Sequence, residues 1–185
     1  MDPMAATYLV GIEQGHLWMA ACAALYLAWW TMFFRPRAEK PRGAERAIGV
    51  ALILAAVVCG CAGAVGLARS AAGLPHAVEG AVVALVGFAA YAALAAVTRA
   101  VLKRPVTTEL VLIVAWAALE WFVLDGAAGA GLAVGVPALL VTLAFLFSMA
   151  CYVLYYRFRG WAAFADGCGP LVAVGAISLA FVLLL

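Results

Sequence analysis

Charged side chains are scarce in this sequence. Its 185 residues include 11 Lys and Arg, 9 Asp and Glu and 2 His, so charged residues make up 11% against 69% hydrophobic. A soluble domain usually has about 25% charged and roughly 45–50% apolar residues. The deficit excludes a water-facing surface of ordinary composition, and nothing in the chain suggests a nucleic-acid surface. Familiar motifs are missing too. No CxxC pair, phosphate-binding glycine loop, HExxH or GxSxG occurs, and no nucleophile–base set marks an enzyme. The N-terminal MDPMAATYLV lacks the basic start of a secretory signal, and its apolar run continues to Phe34. The first segment is therefore expected to be retained as a helix.

What is present is a series of long apolar runs separated by short charged stretches, the pattern of a multipass helical membrane protein. A helix rising 1.5 Å per residue needs about 20 residues to cross about 30 Å of hydrocarbon. Six segments meet or approach that length: about 8–34, 47–68, 79–98, 108–126, 132–156 and 170–185. The expected fold is all-α, a single domain over residues 1–185 built as a bundle of about six transmembrane helices. The last segment is short and stops at FVLLL without a polar tail.

Basic residues give the orientation. Arg35, Arg37, Lys40, Arg42 and Arg46 lie between the first two spans, Arg99, Lys103 and Arg104 between the third and fourth, and Arg157 and Arg159 after the fifth. Arg69 alone falls on the other side. The positive-inside bias makes the basic face cytoplasmic and places both termini outside, in a cytoplasmic membrane. WWTMFFRPR and CYVLYYRFR close the first and fifth spans with interfacial aromatics and arginine. Pro41, Pro105 and Pro170 stand at or before the even helices, where proline is tolerated because early helical N–H groups lack internal partners.

Ala56, Gly60, Ala64 and Ala68 form a small-residue row on the second helix, and Ala92, Ala96 and Ala100 one on the third. Such faces permit close helix approach in lipid and are expected to make bundle contacts or to serve a homo-oligomer. The cysteines are Cys22, Cys59, Cys61, Cys151 and Cys168. CGC at 59–61 cannot grip one ion on a helix, where residues two apart point to nearly opposite sides, so packing is the expected role.

Few polar residues then need an account. Glu109 falls in the first turn of the fourth helix, where the helix dipole favours an acid. Glu120 lies eleven residues further, roughly 16 Å along the axis and close to mid-bilayer. Trp116 is one turn below on the same side. A charged acid at this depth costs at least about 2.5–3.5 kcal/mol on insertion scales. Glu120 must therefore face the bundle interior, carry a proton or meet a partner, for which Thr142, Ser148 and Tyr91 are candidates. Glu13 and His16, and likewise His76 and Glu79, are three residues apart near the terminal side, with Asp125 at the end of the fourth helix. Each pair shares a face if helical, so Glu13, His16, His76 and Glu79 are weak candidates for a divalent metal site, and the two histidines for a haem.

Glu120, Trp116, Glu13, His16 and Asp125 together describe a polar path for a small solute or proton. Pro137 and the connection DGAAGAGLAVGVP from Asp125 are candidate flexible elements beside it. The leading reading is a small transporter or channel, proton-linked through Glu120. A membrane-embedded redox, quinone-handling or lipid-handling component comes second, and a membrane enzyme third. The orientation is checked with single cysteines at Ala38 and Ala72 in a background without native thiols. A membrane-impermeant reagent added outside should label Ala72→Cys alone, and outside labelling of Ala38→Cys would overturn the topology.

Overall fold

The computed structural model describes residues 3–36, 41–103 and 108–184. They form six helices: α1 Pro3–Phe34, α2 Ala44–Ala72, α3 Gly80–Leu102, α4 Thr108–Gly129, α5 Gly135–Tyr155 and α6 Trp161–Leu184. All six are long and apolar enough to cross a membrane, and no strand occurs among the described residues. Hydrocarbon offers no partner for a bare N–H or C=O, so a spanning segment must satisfy its backbone internally, as a helix does. Both described ends lie on one face of the bundle, here the terminal face. The opposite, basic face carries Arg35, Arg42, Arg46, Arg99, Lys103, Arg157 and Arg159; Arg37, Ala38, Lys40, Arg104 and Pro105 lie outside the described residues.

Each helix departs from its expected bounds by a few residues or more, and two of these departures have a clear local cause. α6 begins at Trp161 and runs for 24 residues, with Pro170 inside it rather than at its start. The run ADGCGP reads locally as a helix breaker, yet its glycines serve packing. Gly167 lies against the Trp30 ring, and a Cβ at Gly169 would stand 2.6 Å from Cys151 Sγ. The hydrogen bond that Pro170 removes is tolerated in a span whose neighbours hold it in place. α4 also extends beyond its expected end, absorbing the first part of the connection read as flexible. Gly131, at φ 85°, closes it: Leu132 N–H donates to Ala127 O (3.0 Å) and Gly131 N–H to Ala128 O (2.9 Å). This is a Schellman cap, which needs a left-handed residue and satisfies the last carbonyls. Pro137 sits buried in the first turn of α5, where its missing N–H leaves no gap.

Neighbouring helices run antiparallel at close range. α2 lies on α1 through Gly49 against Phe33, Gly60 over Cys22 and Gly63 over Met19, where an added Cβ at Gly63 would stand 3.0 Å from Gly15 O. The buried residues of α2 are Gly49, Ala56, Gly63, Leu67 and Ala71, not the expected row at Ala56, Gly60, Ala64 and Ala68. A four-residue step drifts by about 40° each time on a helix of 3.6 residues per turn. A seven-residue step stays on a left-handed crossing, so 49, 56 and 63 form the seam. Ala92, Ala96 and Ala100 of α3 are exposed and make no bundle core; Thr98 is the buried residue of that helix. α4 is the most enclosed span. It meets α2 at the terminal face, where Pro75 O presses on Gly129, and packs with α3 and α5 around Leu110, Val114 and Tyr152.

The α1–α2 seam and the α3 face should respond differently to one substitution. Gly63→Val inserts two methyl groups where a single Cβ already crowds Met19 and Gly15 O, and should destabilise by about 1–3 kcal/mol. Ala96→Val on the exposed face should leave the thermal midpoint of purified protein unchanged.

Candidate functional site

Two histidine–carboxylate pairs anchor on α4. The first is central. His16 projects from α1 beside Gly15, whose missing side chain lets α2 approach at Leu67. His16 Nδ1 lies 2.9 Å from Ile12 O; a carbonyl only accepts, so Nδ1 carries a hydrogen and the ring is fixed with Nε2 toward α4. Nε2 stands 3.0 Å from Glu120 Oε2, and both side chains are fully buried. Phe181 of α6 packs its ring edge-on at 5.0 Å. With Nδ1 already donating, the Nε2–Oε2 contact needs one more proton between the two groups. Imidazole accepts from a carboxylic acid, or imidazolium donates to a carboxylate. Either way the pair is neutral overall and holds one transferable proton, which removes the cost of an isolated buried charge.

The second pair sits closer to the terminal face. His76, in the α2–α3 connection, has Nε2 2.7 Å from Ala71 O and Nδ1 3.1 Å from Asp125 Oδ2. Asp125 Oδ2 also accepts from Val78 N–H at 3.0 Å. The imidazole stacks on Phe122 at 4.3 Å and lies over Gly126, where a Cβ would stand 2.9 Å from Cε1. Its side chains are partly exposed, 14% for His76 and 18% for Asp125. Between the two pairs packs an apolar cluster of Ile12, Leu67, Ala71, Leu74 and Val123. It seals the terminal half of the bundle.

The basic-face half is open inside. A cavity of about 400 Å³ spans from Glu109 and Asp166 up to Met19, Trp116 and Leu119. Met19 and Trp116 lie three and four residues from His16 and Glu120 on the same helix faces, so the buried pair caps this cavity one turn above it. Trp116 is 5% exposed, and its indole N–H is buried without a hydrogen-bond partner, as are Glu120 Oε1, Ser148 Oγ and Ser178 Oγ.

The structure thus brings Glu120, His16 and Trp116 together, and joins Asp125 to His76. It does not bring Glu13 or Glu79 to either histidine; both are exposed. Among the described residues no three His, Cys, Asp or Glu side chains gather around one point. The partners considered for Glu120 are engaged elsewhere or separate from it. Thr142 Oγ1 donates to Ala138 O at 2.8 Å, Tyr91 packs in the α3–α4–α5 cluster, and Ser148 makes no hydrogen bond. Sequence reasoning missed the His16–Glu120 contact, which joins residues 104 apart, and the aromatic cavity below it. Gly11 and Gly15 were the available signal, since two glycines four apart beside His16 mark a helix face that meets a neighbour. Comparison with family models, with curated proteins and with solved structures gave no match.

The buried pair should behave as one unit. Glu120→Leu leaves His16 Nε2 unpaired, and His16→Leu leaves a buried acid alone; each should cost about 3–5 kcal/mol. The double leucine variant should recover most of that loss. Additive costs in a double-mutant cycle on unfolding would show that the two residues do not interact.

Proposed function

We propose that this protein is a small membrane carrier, sited in the cytoplasmic membrane with both termini outside, that moves a small solute in exchange with protons. The observation that carries the reading is the His16–Glu120 pair: both side chains fully buried, mid-helix, with Nε2 3.0 Å from Oε2. Carriers commonly place solute and proton sites near the bilayer midplane. The cavity beneath Trp116 supplies the solute site, and the apolar cluster above His16 supplies the closed gate.

The coupling follows from hydrogen-bond chemistry. With one shared proton, Nε2 and Oε2 attract and hold α1 against α4. With that proton lost, two lone pairs face each other, whereas with a second proton gained the N–H still donates to the unprotonated oxygen of the acid. Loss of the shared proton therefore breaks the tie and leaves the helices joined by apolar contacts alone. Ile12, one turn from His16, and Val123, beside Glu120, are then free to part. The proton state of the pair thereby sets the state of the gate, a two-state element biased by a local charge change.

Glu120→Gln separates this role from packing. The amide donates to His16 Nε2 and keeps the size of the acid, so the variant should fold as wild type does. It holds no transferable proton, and proton-driven solute flux in proteoliposomes should fall at least 100-fold. Full flux in a well-folded Glu120→Gln variant would end the proton-coupled reading.

A further inference from the structure

The basic-face cavity has a lining that selects a charge. Among the described residues it contains two carboxylates, Glu109 and Asp166, and no lysine, arginine or histidine. Neither carboxylate makes an ion pair or hydrogen bond among the described residues, and Asp166 Oδ2 is buried. The walls around them are aromatic, with Tyr26 and Trp30 of α1 and Tyr152 and Tyr155 of α5. Ring faces attract cations most strongly where water is excluded. At the far end, two turns along α4 from Glu109, Trp116 closes the cavity with its indole N–H shielded from the open space.

We propose that this cavity binds an aromatic organic cation. Its positive group lies between Glu109 and Asp166, and its rings lie among the tyrosines and Trp30. An anion would meet two carboxylates with no counter-charge. A lipid acyl chain would leave the buried Asp166 Oδ2 without a partner, an arrangement that is costly in a low-dielectric site. A volume of about 400 Å³ falls in the range of small-molecule sites and admits a two-ring molecule. As the identity of the carried solute this rests on the transport reading above; as a binding site it stands without it.

The test measures binding to detergent-purified protein, so its failure is separate from a failure of transport. The probes are 4-benzoyl-N-methylpyridinium and its neutral isostere 4-methylbenzophenone, which differ in charge but hardly in shape. The cation should bind saturably, one per chain, and at least tenfold more tightly than the isostere. The double variant Glu109→Gln/Asp166→Asn should lose at least tenfold in cation affinity, while Ala96→Val, on the exposed face of α3 and outside the cavity lining, should retain it. A second readout needs no variant. Cys22 and Cys61 line the cavity and Cys59 does not, so the bound cation should slow alkylation by N-phenylmaleimide at Cys22 and Cys61 and not at Cys59. Equal binding of the two isosteres overturns the proposal. So does unchanged affinity in a folded double variant, a co-purified lipid that the cation cannot displace, or the absence of protection at Cys22 and Cys61.

Discussion

A carboxyl group cannot sit alone in the middle of an apolar bundle, and the way Glu120 is accommodated governs much of this architecture. The partner is an imidazole on α1, already donating at Nδ1 to its own helix, so the contact with Glu120 closes around a single proton. That contact requires α1 and α4 to face each other although they are not sequence neighbours. It requires α2 to tuck closely against α1, which the glycines at 15 and 63 permit. It also requires apolar cover on the remaining sides, supplied by Phe181 from α6 and by the Ile12–Leu67–Val123 cluster. The bundle packs as it does around a carboxyl that needs a hydrogen-bonding partner.

The two halves of the molecule differ in character because of where that group lies. Toward the terminal face, small and branched side chains interdigitate, and the second histidine–carboxylate pair is tied down by backbone groups at Ala71 and Val78. Toward the basic face, large rings from α1, α4 and α5 line a cavity that they do not fill. Bulky rings near the basic face also suit the interface, where Arg35 lies 5.5 Å over the Trp161 ring. The same residue types thus anchor the bundle and leave room inside it.

The number of helices and their order were legible from apolar run length, because hydrocarbon thickness imposes one length on every span. Boundaries failed where local and tertiary preferences conflict. ADGCGP has every sign of a break, but Trp30 and Cys151 fill the spaces left by its glycines and α6 continues through it. Glu120 was legible as a residue needing a partner, since its cost depends on depth alone. Its partner was not, because nothing within one helix tells which of several polar residues on other helices will face it. His16 read as interfacial from its distance to the N-terminus. Yet α1 begins at Pro3 and has 32 residues, more than hydrocarbon requires, so His16 lies near its middle and deeper than the count suggested. The small-residue rows misled for a related reason. On α3 they describe a composition, and only packing decides which face of a helix finds a neighbour.

The separation of 104 residues between His16 and Glu120 also has a meaning in time. A ribosome adding roughly 5–20 residues per second completes α4 about five to twenty seconds after His16 has been made. Throughout that interval the α1–α2 hairpin can close through its glycine seam, but its imidazole has no acid to meet. A neutral ring hydrogen-bonded to Ile12 is the form that hydrocarbon tolerates. The carboxyl that arrives later can enter as an uncharged acid, bringing the shared proton with it. Membrane insertion then proceeds without any buried ion at any stage, and the neutral pair is assembled from neutral parts.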